Sequence, residues 1–355
     1  MVIGERIKMA RRGAQMSLRA LAKEVGVSAQ AISKYERGLD IPSSPVLLRL
    51  SRALNVKSEY FFRPTEVSVS ITSYRRLASL GRKKEQAISV RIQEWLERYM
   101  EVERLFPSEF HGSFSWPAGL NRHISSSEEV ERVAKDLRRS WELGLDPIEN
   151  IVQLLEDKGI KIGLIDGYEG FDACTFWANE EIPVIAVNRR LQGDRQRFNV
   201  AHELGHLVLE PAENVNVEYA ARRFAGAFLV PEEMVRFELG EARSSCDLHE
   251  LHLLKHKYGL SMQGWIYRAK DLNILSEPAA IRLFRIFRSR GWYEQEPGDQ
   301  IPIEEPDRMK RLVLRALTED LISKSRASEL LGEPLLQFLK KEEEKHALFP
   351  VDLRN

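Results

Sequence analysis

Apolar residues recur at helical spacing in two short segments near the start of the chain, residues 17–26 and 27–38. Ser17 and Ser28 are serines of the kind that caps a helix, each at or next to the start of its segment, and Gly26 ends the first segment. The apolar residues fall on one inner face, which holds Leu21, Ala22, Val25, Val27 and Ile32. This pattern predicts two short helices joined through Gly26, the arrangement of a helix-turn-helix motif.

Small, amide and cationic side chains occupy the opposite side of the second predicted helix. Such side chains can enter the major groove of DNA, while neighbouring arginines contact phosphates. The residues predicted to contact DNA are Ser28, Ala29, Gln30, Ser33 and Lys34, with Arg11, Arg12, Arg19 and Arg37 near the flanking backbone. The alternative is a small helical bundle with a solvated basic face.

The charge of the chain is unevenly distributed. Residues 1–64 contain 12 Lys and Arg against 5 Asp and Glu, a net charge of +7. The 355-residue chain has 53 residues of each sign, so residues 65–355 carry a net charge of −7. A basic head on an acidic body is typical of a nucleic-acid-binding domain joined to a domain with another role.

A second signal lies in residues 198–210, Phe-Asn-Val-Ala-His-Glu-Leu-Gly-His-Leu-Val-Leu-Glu, which contain H-E-x-x-H. On a helix His202 and His206 share one face, where a single Zn²⁺ can bind both imidazoles. Glu203 can then take a proton from a water molecule at the open coordination position. The turn is apolar nearly all round, which predicts a buried helix whose polar groups need partners. Gly205 suits a point where another backbone comes close.

The next helix is expected to supply a third ligand. Apolar residues recur at helical spacing through residues 217–230, and Pro231 ends the run. Glu218 lies in the first turn, and two His with one Glu would leave a fourth position for water, as catalytic zinc requires. Glu210 and Glu213 are competitors in the polar connection, and an acid at a helix start can also simply complement the helix dipole.

Other parts of the chain predict packing elements rather than sites. Alternation in residues 65–71 predicts a strand, residues 82–106 a long helix with an apolar packing stripe, and residues 107–127 a linker or ordered loop. Further helices are predicted at about 127–142 and 147–158, and strands at 160–165, 173–178 and 184–187.

Two groups of potential ligands have plainer interpretations. His249, His252 and His256 recur along a predicted helix, but the segment is strongly polar, so a solvated helix face is the better account. Cys174 and Cys246 lack metal-ligand spacing and are interpreted as reduced packing thiols. No run of 18 apolar residues and no signal segment occurs, so we expect a cytoplasmic protein without membrane contact.

The N-terminal segment resembles the Xre family, the helix-turn-helix domains of phage Cro and lambda-type repressors. The likeness rests on Leu21-Ala22, Gly26-Val27-Ser28, Ile32-Ser33, Tyr35-Glu36 and Gly38, and extends through Ile41-Pro42 into residues 47–54. It covers about 60 residues. The resemblance implies a five-helix domain that binds a double-stranded DNA operator, usually as a homodimer.

Residues 198–206, Glu218 and the Phe224-Ala225…Pro231 segment resemble the ImmA/IrrE family of zinc metallopeptidases. The likeness spans roughly residues 125–340. By motif, His202, His206 and Glu218 match the metal ligands of the family and Glu203 its catalytic acid. Some members cut a partner repressor of the Xre type. The chain departs from many members in having Arg222 where they have Asn.

These observations predict four segments and a two-part fold class. They are an all-α helix-turn-helix domain (1–64), a strand, long helix and linker (65–126), an α+β zincin-like metallopeptidase core (127–240), and a mostly helical C-terminal region (241–355).

The expected function is that of a DNA-binding transcriptional regulator with a Zn²⁺-dependent peptidase that cleaves a partner regulator or its own head. In that mechanism Glu203 moves the proton, and Tyr219 is the candidate for the group that stabilises the oxyanion. The main alternative is an antitoxin or repressor whose peptidase-like domain is a non-catalytic sensor, scaffold or toxin-binding surface. A third is a switch in which zinc occupancy changes the linkage between domains.

Overall fold

The computed structural model describes residues 2–64, 67, 69–70, 81–108 and 111–348. Its helices are α1 Val2–Gly13, α2 Leu18–Val25, α3 Ala29–Glu36, α4 Ser44–Leu54, α5 Arg82–Glu103, α6 Glu129–Ser140, α7 Ile151–Asp157, α8 Gly193–Val208, α9 Val217–Leu229, α10 Glu232–Leu239, α11 Leu248–Tyr258, α12 Met262–Asp271, α13 Glu277–Ser289, α14 Arg308–Thr318, α15 Lys324–Leu331 and α16 Leu335–Leu348, with a 3₁₀ helix at Ser58–Phe62. Its strands are β1 Val69–Ser70, β2 His123–Ile124, β3 Lys161–Ile165, β4 Ala173–Ala178, β5 Ile182–Asn188 and β6 Glu210–Pro211.

The chain forms two compact units that are discontinuous in sequence. The head unit comprises residues 1–69, 77–112 and 306–355, and the body unit comprises residues 70–76 and 113–305. Each of the four domains predicted from the sequence is a continuous segment of the chain, and these domain bounds remain a prediction.

Helices α1–α4 and the 3₁₀ helix of the head unit have the predicted helix-turn-helix arrangement. The hydroxyl of Ser17 accepts a hydrogen bond from Ala20 N, and that of Ser28 from Ala31 N, each at 3.0 Å. Gly26 ends α2 with φ of 72°, the left-handed region that glycine adopts without strain. The core of these helices includes Ile7, Leu21, Val25, Ile32, Leu50 and Phe61.

The rest of the head unit is formed by α5 and the C-terminal helices α14–α16. The predicted helix at 82–106 is confirmed but ends at Glu103, and Leu105 lies beyond it. Most of its apolar stripe is buried, as predicted for a packing face. The second head cluster contains Val102, Phe106, Leu312, Val313, Ala316, Ala327, Leu330 and Phe338.

A mixed sheet has the strand order β1–β4–β5–β3, and its strands β3, β4 and β5 lie in the body unit. Strands β3 and β5 are parallel, and β4 and β5 are antiparallel. The three predicted strands at 160–165, 173–178 and 184–187 are confirmed within two residues at each end. Most residues of these strands are buried, which is typical of a sheet covered on both faces.

Other predicted elements of the chain have shorter counterparts. The helices predicted at 127–142 and 147–158 correspond to α6 and α7. Of the strand predicted at 65–71, only Val69–Ser70 is a strand, and residues 65, 66, 68 and 71 lie outside the described residues. Among the helices that the structure describes, none combines the length and apolar character needed to cross a membrane.

Candidate functional site

Helix α8 carries the H-E-x-x-H residues at a buried position. His202 and Glu203 are fully buried, while the side chain of His206 reaches the surface. The two Nε2 atoms lie 3.0 Å apart, and the ring centroids are separated by 4.7 Å. The helical spacing therefore aims both imidazoles at one point.

Glu218 reaches the same point from the first turn of α9. Asn216 caps this helix by accepting a hydrogen bond from Tyr219 N at 3.0 Å, which fixes where the turn begins. Glu218 Oε2 lies 3.6 Å from His202 Nε2, and Oε1 lies 3.4 Å from His206 Nε2. Among the described residues, His202, His206 and Glu218 are the only group of three with convergent ligand atoms.

The competing acids lie elsewhere. Glu210 forms an ion pair with Arg122, and its Oε2 lies 3.1 Å from His123 Nδ1. These contacts belong to the short parallel pairing of β2 with β6, in which His123 is opposite Glu210. Glu213 is exposed in the connection to α9. Neither acid is in the convergent group.

The donor atoms fit a small divalent cation. Tetrahedral ligand atoms 2.0–2.2 Å from zinc are roughly 3.3–3.6 Å apart, close to the three separations given above. The donor set of two imidazoles and one carboxylate is also the set used by open, catalytic zinc sites. The residues present can therefore hold such an ion.

Close packing between α8 and α9 delivers the third ligand. A Cβ atom at Gly205 would lie 3.2 Å from the Cα and carbonyl oxygen of Ala221 and 3.1 Å from the ring of Phe224. Because glycine lacks that atom, α9 approaches α8 within one turn of Glu218. The expected close approach at Gly205 is what the structure shows.

A buried ionic cluster, which sequence reasoning missed, ties α9 to α6 and α12. The carboxylate of Glu131 accepts bonds from both terminal nitrogens of Arg268, at 2.6 and 3.1 Å, and from Arg223 Nε at 3.1 Å. Arg268 also donates to the carbonyl of Val230, at the end of α9. Gly226 leaves room for the Arg268 side chain to cross the helix. These bonds fix the helix that carries Glu218.

A second missed cluster surrounds the start of α8. Arg197 donates to Glu304 and to the carbonyl of Ile148, and Gln196 exchanges two hydrogen bonds with the backbone of Glu304. Lys255 is fully buried and pairs with Asp194 at 2.8 Å. Since the run Gly-Asp-Arg-Gln-Arg is indistinguishable from a solvated helix start, the sequence carries no signal for these contacts.

Tyr219 and Arg222 lie near Glu218 on α9. The hydroxyl of Tyr219 lies 3.4 Å from Asp271 Oδ1, a carboxyl whose pKa is raised by burial and lowered in part by Arg223. Tyr219 is 42% exposed, so its hydroxyl faces Asp271 at the surface. Arg222 is exposed. Neither residue is in the convergent group.

The proposed DNA-contacting residues lie on and beside α3. Ser28, Gln30, Lys34, Arg19 and Arg37 are exposed, and Ala29 and Ser33 are half-buried. The hydroxyl of Ser28 caps α3, so part of its role is structural. Arg11, expected near the DNA backbone, is instead held by Glu36 at 2.6 and 2.9 Å.

The residues with plainer interpretations also have defined positions. His249 and His256 are exposed, His252 is half-buried, and His256 Nε2 lies 3.1 Å from the carbonyl oxygen of Asp299. Cys174 and Cys246 are buried and form no disulfide.

Two family models match the chain, one on each of these regions. Residues 7–61 match a helix-turn-helix family, and residues 159–270 match the IrrE N-terminal-like domain. The chain therefore combines an Xre-type helix-turn-helix domain with an IrrE/ImmA-like domain, and both predicted resemblances are confirmed.

Curated proteins that are similar to this chain match it over short stretches. An uncharacterised HTH-type transcriptional regulator of Sinorhizobium fredii is 36% identical over 63 residues, 18% of this chain and 44% of that protein. The HTH-type transcriptional regulator ImmR of Bacillus subtilis is 34% identical over 68 residues, covering 19% and 54%. Repressor protein C2 of Salmonella phage P22 is 40% identical over 62 residues, covering 18% and 29%. The chain thus spans about half or less of these relatives.

Proposed function

We propose that this chain is a DNA-binding transcriptional regulator whose body unit is a zinc-dependent peptidase. The observation that carries the hydrolytic part is the convergence of His202, His206 and Glu218 beside the buried Glu203. The helix-turn-helix match and the relatives named as regulators and a repressor support the DNA-binding part.

The head unit would bind a double-stranded DNA operator as a homodimer. The exposed Gln30 and Lys34 project from α3, the helix that would enter the major groove. The net charge of +7 on residues 1–64 would attract phosphates from any sequence, so affinity would fall as salt rises. Arg19 and Arg37 are the proposed phosphate contacts on either side of this helix.

In the body unit, His202, His206 and Glu218 would hold Zn²⁺, which supplies a Lewis acid and an activated water at near-neutral pH. Glu203 lies next to His202 on the buried side of α8, where bulk water is excluded. Its carboxylate would accept the proton of the attacking water and then pass it to the amine nitrogen of the leaving peptide. Gly205, Glu131 and Arg268 hold the two helices in place for this step.

The proposed substrate is a peptide bond in a partner regulator or in the head of this chain. If the substrate is itself a regulator, its cleavage would change transcription directly. If the body unit cleaves nothing, it would act as a sensor, scaffold or toxin-binding surface of a repressor or antitoxin.

Glu203→Gln tests the hydrolytic proposal. We expect the variant to keep about one zinc per chain, because Glu203 is not a ligand, and to lose all cleavage. New N-termini would be mapped by mass spectrometry in cells that express the full-length wild type or the variant. Glu213→Gln, a matched change at an exposed acid, is expected to cleave as the wild type does.

Identical sets of N-termini in wild type and Glu203→Gln would contradict the peptidase and leave the non-catalytic alternative. Gln30→Ala addresses the DNA-binding part separately. It should weaken operator binding more than nonspecific binding, by about 1–3 kcal/mol for a base contact. Equal losses on both DNAs would show that Gln30 reads no base.

A further inference from the structure

The head unit contains a cavity of about 650 Å³ that is separate from the metal-binding residues of the body unit. Its walls come from the helix-turn-helix region, from α5 and from α15. A volume of this size suits a small organic molecule, since pockets for such ligands measure roughly 300–1,000 Å³.

Cations outnumber acids on the walls of this cavity. The six cationic residues are Arg6, Lys57, Arg63, Arg98, Arg104 and Arg326, and the four acids are Glu94, Glu97, Glu101 and Glu329. An excess of cations among the described residues that line a partly enclosed space favours an anionic ligand.

Each acid already has a partner within the head unit. Glu97 accepts from Arg6 at 2.7 Å, and Glu94 accepts from the Tyr60 hydroxyl at 2.7 Å. Glu101 pairs with Arg326, and Glu329 pairs with both Lys57 and Arg326. Glu97, Glu101 and Glu329 are therefore already ion-paired with Arg6, Arg326 or Lys57, whereas the partner of Glu94 is a neutral hydroxyl.

Among the described residues, Arg98 donates a single hydrogen bond and forms no ion pair. Its Nε donates to the carbonyl of Leu330 at 3.1 Å, and no described residue accepts a bond from its two terminal nitrogens. Burial lowers the pKa of Arg98, and the nearby charge of Arg63 lowers it further, against the opposing effects of Glu94 and Glu97. Arg63 itself has only Glu329, at 3.7 Å, as an ion-pair partner in the described chain.

Two guanidinium groups thus line one cavity, and within the described residues their terminal nitrogens donate no hydrogen bond. A carboxylate or phosphate between them would accept those donors in paired bonds and relieve the repulsion between the two charges. We propose that this cavity binds a small organic anion through its carboxylate or phosphate group, held between Arg98 and Arg63.

Because the walls combine Lys57 and Arg63 of the DNA-binding region with Glu329 of α15, a bound anion would compete with Glu329 for the same cations. The cavity would therefore give the head unit a ligand-responsive contact between its DNA-binding helices and its C-terminal helices. This inference does not depend on the metal site.

Calorimetric titration of the full chain at constant ionic strength tests this site, with inorganic pyrophosphate and citrate as the probes. We expect saturable binding by the wild type and about tenfold weaker binding, or more, by Arg98→Met, which removes a bidentate charged contact. Arg91→Met makes the same change on the same helix outside the cavity and should bind as the wild type does. Arg98→Lys serves if Arg98→Met does not fold, and it should also bind more weakly, because lysine lacks the paired donors.

A third variant separates the cavity from the DNA-binding surface, which also attracts anions. If Lys34→Met loses the probes while Arg98→Met keeps them, the anions bind the α3 surface and the proposal is wrong. Absence of saturable binding of both probes by the wild type would also overturn it.

Discussion

The chain contains two pairs of histidines at the same helical spacing, and within the residues that the structure describes only one pair belongs to a candidate metal site. The rings of His202 and His206 on α8 and those of His252 and His256 on α11 have the same centroid separation, 4.7 Å. Their interplanar angles are also similar, at 77° and 70°. Local helical geometry therefore does not distinguish the two pairs.

The surroundings of the two pairs differ. A second helix packs against α8 at Gly205 and brings Glu218 within 3.6 Å of both imidazoles. On α11, His256 is exposed and bonds to a backbone carbonyl, and the pair belongs to no group of three ligands in the described part of the chain. A metal site thus requires a third ligand, which tertiary packing supplies. It also requires burial, because buried polar side chains need a partner and a metal ion can be that partner.

The largest expected effect is a loss of bound zinc when a histidine of the α8 pair, but not of the α11 pair, is replaced. His206→Ala should reduce bound zinc from about one ion per chain to nearly none, since losing a ligand costs more than the roughly 10–100-fold of an outer-shell change. The matched change His256→Ala should leave zinc content unaltered. Elemental analysis after gel filtration measures both. Zinc retained by His206→Ala would remove the basis of the proposed centre.

A smaller effect is expected from the cluster that positions the third ligand. Glu131→Gln leaves Arg223 and Arg268 buried without a full countercharge, which should cost about 3 kcal/mol of unfolding free energy. It should also weaken zinc binding by about tenfold, because α9 would lose its attachment to α6.

Denaturant unfolding and competition with a zinc chelator measure these two quantities. Glu169→Gln, at an exposed acid outside the cluster, is the control and should change neither. Unchanged zinc affinity in a destabilised Glu131→Gln would mean that the cluster supports the fold but not the ligand.

The smallest effect concerns protonation of the second pair. Burial lowers the pKa of His252, with contributions from His256, Lys255 and His249 and an opposing one from Asp299. The folded chain therefore resists a proton that the unfolded chain accepts below its pKa of 6.5. This stability is present above that pKa and is lost as the pH falls through the lower folded value.

Metal-free protein should consequently lose slightly more Tm between about pH 7 and pH 5 than His252→Gln does, by on the order of 1 °C. The exposed His249→Gln should follow the wild type. A larger loss of Tm in His252→Gln than in the wild type would contradict a lowered pKa of His252 in the folded state.

Much of the fold follows from local pattern. The capping serines, Gly26 and the inner apolar face predict α2 and α3, and buried apolar runs predict β3, β4 and β5 to within two residues. The spacing of His202 and His206 predicts their shared face. Such features depend on neighbours a few residues apart, so sequence reveals them.

Other features depend on partners far along the chain. Helices α14–α16 near the end of the chain pack with α5, which lies about 200 residues earlier in the sequence, in the head unit. No local pattern in the sequence marks Glu131, Arg197 and Lys255 as paired, yet all three are engaged in ionic clusters. Apolar stripes and charged residues indicate that a packing or ionic partner is needed, but they do not indicate which residue provides it.

The sequence alone thus determined the helix-turn-helix elements, the sheet strands and the pair of imidazoles on α8, because each rests on short-range periodicity and capping. The tertiary structure alone decided which acid completes the ligand set, which histidine pair stays without one, and where Arg98 and Arg63 share a cavity. Those outcomes depend on how closely helices that are far apart in the sequence pack against each other. Close packing in the core sets this separation, and between α8 and α9 the missing side chain of Gly205 allows it to be short.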